Sequence, residues 1–180
     1  MKKIFICMVL ILCVSVPAAF SQFRFEIGAS APITFGAFNG ETSDFADVGS
    51  ILDEVGIIPI PNLALLLQLD AGPVKLGAGI KAWTALVASA AYPIVQAEIA
   101  LGSLSIDASL GGYFLAYYGV PDTFGFEEIG ALIPDISVWL GIGKKNAFRI
   151  GGGAMGLIPT SFDLTTIPYV AYAGLKVVLQ

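Results

Sequence analysis

Few residues of this 180-residue chain could carry chemistry. It contains no histidine, and both cysteines, Cys7 and Cys13, lie close to the N-terminus. The commonest general base and metal ligand are therefore absent, as is any thiol nucleophile beyond Cys13. Carboxylates and cations remain: Glu26, Asp70, Glu98, Asp107 and Asp135 against Arg24, Lys75, Lys81, Arg149 and Lys176. Two carboxylates could act as the acid and base of a glycosidase, but five cations matched to five acids fit ion pairs better, because buried charges require partners. Trp83, Tyr113, Tyr117, Trp139 and Tyr172 could stack on a ligand or simply fill a narrow interior. Gly141-Ile142-Gly143-Lys144-Lys145 lacks the spacing and the Ser/Thr of a phosphate loop and reads as a turn. Gly151-Gly152-Gly153 reads as a thinned wall where large side chains pack. No cofactor is implied by any of these spacings.

A two-residue rhythm positions these groups. In 23–36, Phe23, Phe25, Ile27, Ala29, Ala31, Ile33 and Phe35 fall on one face of a strand, and Arg24, Glu26, Gly28, Ser30, Pro32, Thr34 and Gly36 on the other. The pattern recurs and predicts strands at 63–72, 74–84, 93–101, 104–118, 132–142, 148–155 and 169–179. All ten strand charges and all five aromatics lie opposite their strand's apolar face. The alanine-rich stretch 86–92 reads as a strand end plus loop. Links after strands one, three, five and seven are longer, whereas Gly72-Pro73, Gly102-Ser103 and 143–146 make short turns.

Hydrophobic residues form 56% of the chain and charged residues only 13%, about half the charged share of a soluble protein. A strand with fourteen residues of strict alternation is long for a soluble sheet. It suits a tilted membrane crossing, which needs about 9–11 residues in hydrocarbon. A soluble lipocalin-like container shares the period. It gives no reason for balanced charges on the polar face, whereas moving one cation to lipid costs roughly 2–4 kcal/mol. A helical membrane protein needs about 20 apolar residues per span, and the longest uncharged stretch after the leader, 82–97, is shorter and contains Pro93. Residues 1–21 read as a secretory signal, with Lys2 and Lys3, an apolar run and the small-residue site Ala19-Phe20-Ser21. A lipid-modified Cys13 would want a small residue before it, where Leu12 stands. Residues 22–180 are then one barrel domain.

Eight strands with alternating short and long links, ending in Tyr172-Ala173-Gly174-Leu175-Lys176-Val177-Val178-Leu179, resemble the small outer-membrane barrels of the OmpA/OmpX/OmpW class. The resemblance implies an all-β, eight-stranded antiparallel up-and-down barrel in the outer membrane of a diderm bacterium, with both termini in the periplasm. It implies no catalysis, lipid and the barrel-assembly machinery as partners, and a monomer. Tyr172, Gly174, Val177 and Leu179 match the class's terminal assembly signal, though Leu179-Gln180 stands where the class usually ends in phenylalanine. The role it implies is structural or surface-interacting; the alternative is passage of small or hydrophobic solutes, as in OmpW-like barrels.

In that topology the external loops carry Glu41, Asp44, Asp47, Asp53, Glu54, Asp122, Glu127, Glu128 and Asp163 and no lysine or arginine. Such a surface repels nucleic acid and other polyanions. A basic external protein or a divalent cation is the partner it would accept, although the spacing matches no dedicated calcium loop. Lys144 and Lys145 fall in a periplasmic turn.

Overall fold

The computed structural model describes residues 21–38, 43–45, 59–85, 88–113, 115–119, 123–127, 131–159 and 167–180. Eight barrel strands form in chain order. They are β1 (Ser21–Phe38), β2 (Ile60–Ala71), β3 (Val74–Ala85) and β4 (Ala88–Leu101), then β5 (Leu104–Gly112 and Leu115–Gly119), β6 (Thr123–Glu127 and Ala131–Ile142), β7 (Phe148–Gly156 with Ile158–Pro159) and β8 (Ile167–Leu179). Each pairs antiparallel with its neighbour in sequence. The last strand returns to the first, from Phe25↔Leu179 to Phe38↔Ile167, so the sheet closes into a barrel.

Two hairpins turn on glycines at positive φ, Gly72 (67°) and Gly102 (70°), as tight two-residue links require. The third turn, Gly143 followed by the 3₁₀ segment Lys144–Asn146, is tied to the second. Asn146 donates its side-chain amide to the Gly102 carbonyl at 2.8 Å.

Alternation sorts the side chains. Phe23 (71% exposed), Ile27, Leu65, Ile80, Val95, Ile136 and Ile150 stand outward in the open, while Arg24, Glu26, Gln68, Glu98, Asp107, Asp135, Arg149 and Lys176 are buried inside. An apolar exterior around a charged interior inverts a soluble protein and matches a wall facing lipid. Because cross-strand partners share a face, the ladder itself sets Lys75 beside Glu98, Glu98 beside Asp107 and Arg149 beside Lys176.

Four expectations are corrected. In β1 the register shifts between Pro32 and Thr34, leaving Ile33 without a partner; this bulge reverses the facing beyond it, so Phe35 pairs with Val170 on the inner side rather than pointing to lipid. Residues 88–92, expected as strand end plus loop, belong to β4, which places Ala90 and Tyr92 in the interior; because Ala85 pairs with Ala88, the link after β3, expected to be long, spans only two residues. The link between β5 and β6 is shorter than expected, with Glu127 inside a strand opposite Leu115. Tyr113, expected in the lumen row, lies at the break in β5. It follows Gly112 (φ 98°), has φ 67° itself and is 44% exposed.

Candidate functional site

The interior is built in two levels. On the side of the short turns, β1 contributes Arg24 and Glu26 two residues apart on the inner face, joined at 2.5 Å. Arg24 also pairs with Glu98 of β4 and donates to Gln68 Oε1 at 2.9 Å. Glu98 is shared with Arg149 of β7, whose Nη1 lies 3.0 Å from Oε2 and whose Nη2 donates to Oε1 at 3.1 Å. Lys176 of β8 bridges Glu26 at 3.0 Å and Asp107 of β5 at 2.6 Å, with its ammonium 4.5 Å from the Trp139 ring centre. Three cations and three anions from five strands thus form one connected network. Each charge depends on the others, since removing one partner of a buried pair leaves an uncompensated charge.

Toward the long-link side, Lys81 of β3 meets Asp135 of β6 at 2.9 Å, and the Tyr172 hydroxyl of β8 donates to the other carboxylate oxygen at 2.7 Å. Charge balance therefore holds at each level separately. Asp70 and Lys75 do not join either level. Asp70 is exposed at the turn end and accepts from Gln68, and Lys75 donates to Gln180 Oε1 at 3.2 Å.

The aromatics divide. Trp139 (4% exposed) is sealed under Lys176 and donates its indole N–H to Ser137 Oγ at 2.8 Å, while Trp83 and Tyr172 line the upper level. The side chain of Tyr117 lies outside the described residues. Gly151 and Gly153 sit across from Trp139 and Tyr172 in the ladder, but what leaves no room for a Cβ there is the backbone of β6 at Val138 and Ile136, with Ser137 Cβ 2.6 Å from one added at Gly153, rather than the rings. Above the Lys81–Asp135 pair is a cavity of about 200 Å³ with largely apolar walls.

Sequence reasoning missed the apolar part of the filling. Leu66, Tyr92 and Ile94 pack together inside, with Gly111 beneath the Tyr92 ring at a distance that leaves no space for a Cβ. Carrying the alternation of β4 back from Glu98 through Gln96 and Ile94 would have reached Tyr92. Of the acidic positions, Glu41, Asp47, Asp53, Glu54, Asp122, Glu128 and Asp163 lie outside the described residues. Asp44 and Glu127 are placed in backbone pairing only, opposite Ala37 and Leu115. On β8, Tyr172 lies on the inner face with Lys176, Gly174 pairs with Ser30, and Leu179 is exposed on the outer face. Among the described residues no three acidic side chains group closely enough to hold a metal ion.

No protein-family model matches the sequence, and no curated protein is similar to it. Several solved structures are similar in shape, among them three small barrels. Neisserial surface protein A (NspA) has 9% identity and a TM-score of 0.46, covering 87% of this chain and 97% of its own. The N-terminal β-barrel domain of Pseudomonas aeruginosa OprF has 12% identity and 0.40, covering 88% and 99%. Ail, the attachment invasion locus protein of Yersinia pestis, has 9% identity and 0.38, covering 89% and 99%. What places this chain is its own closed pairing, with apolar side chains turned out and compensated charges turned in. By that construction it is a small, closed, eight-stranded antiparallel β-barrel, apolar outside and polar inside as a membrane-spanning barrel is.

Proposed function

We propose that the mature chain, freed of residues 1–21, is a non-catalytic and non-conducting barrel that holds its long acidic links outside the cell, with a structural or surface-interaction role. One observation carries the closed state: the network of Arg24, Glu26, Glu98, Asp107, Arg149 and Lys176 reaches across the lumen from five strands, and all six side chains are buried. An eight-stranded barrel is narrow enough for such groups to fill. Purified monomer in planar bilayers is expected to give no stable nanosiemens-scale channel. Sustained conductance of that size overturns the closed reading in favour of solute passage.

Orientation follows from secretion and the strand order. A chain whose first strand begins at the end of the leader crosses outward, which puts the links after β1, β3, β5 and β7 outside and Lys144 and Lys145 in the periplasm. The external links then offer carboxylates to a basic protein or a divalent cation. Single Ser43→Cys and Asn146→Cys variants, treated on intact cells with an impermeant maleimide, are expected to label at position 43 alone. Labelling only at position 146 inverts the topology and removes the surface role.

A further inference from the structure

We infer that the loop-side half of the lumen is a dead-end binding site for a small, mostly apolar, uncharged molecule carrying one hydrogen-bond acceptor. The cavity is about 200 Å³ and is walled by Phe35, Ile60, Trp83, Tyr92, Met155 and Val170. Two features of the chain make it. The bulge at Ile33 turns Phe35 inward opposite Val170, and the same inner row brings Met155 beside Val170. A polar interior row thereby becomes apolar over its last residues. An enclosed apolar cavity of about 150 Å³ accepts a benzene-sized guest; this space is open on one side and, at about 200 Å³, has volume for a substituted single ring.

The floor sets the polarity. Both oxygens of Asp135 are engaged, by Lys81 and by Tyr172, so the carboxylate offers little to a cationic or donor ligand. The bond to Asp135 uses one of the three ammonium protons of Lys81, and that side chain, 24% exposed overall, is part of the cavity lining. It can therefore donate to a ligand acceptor. The pair is neutral as a unit, so a fully charged ligand would enter an apolar space without a counter-charge. On the closed reading proposed above, on which the dead end rests, the six-charge network blocks the lumen below it, so a guest leaves on the side by which it entered.

The chain contains two tryptophans, Trp83 in the cavity wall and Trp139 sealed under Lys176, so Trp83 reports on occupancy. The test is a fluorescence titration of the full mature chain in lipid nanodiscs with acetophenone, a ring bearing one carbonyl acceptor. Cumene, of the same shape without the oxygen, serves as competitor. Expected is a saturable quenching component that disappears in Trp83→Phe and weakens at least tenfold in Met155→Phe or Val170→Phe, with heat-modifiable migration confirming that each variant is folded. Cumene should compete roughly fivefold less well, the worth of one net hydrogen bond. A linear response that is the same in wild type and in the folded blocking variants reflects partition into lipid and overturns the site. Equal competition by cumene overturns the acceptor role of Lys81.

Discussion

The two halves of the lumen obey the same alternation and end up chemically different. On the turn side, six charges share partners: Glu98 serves two arginines, and Lys176 serves two carboxylates. On the loop side one ion pair and one tyrosine stand under a largely apolar space. The difference lies in reach and charge. Long cations on the turn side extend to carboxylates on other strands and are neutralised there. Shorter apolar groups on a bulged wall leave room.

The largest effect expected is from Glu98→Leu, which leaves Arg24 and Arg149 buried without their shared carboxylate. Urea unfolding from lipid vesicles should show a loss of about 3–5 kcal/mol. A loss below about 1 kcal/mol would mean that the turn-side charges are individually dispensable, and the contrast between the halves would fail.

Next in size is the contrast of facing. Ile27→Arg puts a cation into lipid and should cost about 2–4 kcal/mol, whereas Ser30→Arg puts one inside, on the lumen face with Asp135 and Tyr172. Folded yields should be much lower for Ile27→Arg. Equal yields would break the inward and outward assignment on which both halves depend.

Asp135→Asn probes the loop side alone. It removes one charge of a single pair whose lysine is partly exposed, so the expected loss is smaller, about 1–3 kcal/mol. A loss as large as that of Glu98→Leu would show that the loop-side pair is held as tightly as the network.

The smallest effect expected is from Met155→Phe, which adds volume where volume is free. Stability should change by less than about 1.5 kcal/mol. The same kind of enlargement at Ser105, buried against Arg149 at 3.0 Å, should cost more. Similar costs at the two positions would mean the cavity is not available space.

Period two was enough to read the barrel and the inward side of Arg24, Lys81, Glu98, Asp107, Asp135, Arg149 and Lys176, because a side chain's face in a strand is set by parity and a charge tolerates only one of the two faces. Strand count and the turns at Gly72, Gly102 and Gly143 were legible because glycine at positive φ marks tight links, whereas the equally short link between Ala85 and Ala88 carries no glycine and was read as long. Tertiary structure alone decided the rest. Parity says which face a residue takes and nothing about height or distance, so it could not say that Glu98 lies between two arginines while Asp70 stays outside the network. Nor could it register the unpaired Ile33, since a bulge exists only relative to the partner strand. One residue without a partner reversed Phe35, and the apolar loop-side cavity follows from closing β8 onto β1 with that residue left over.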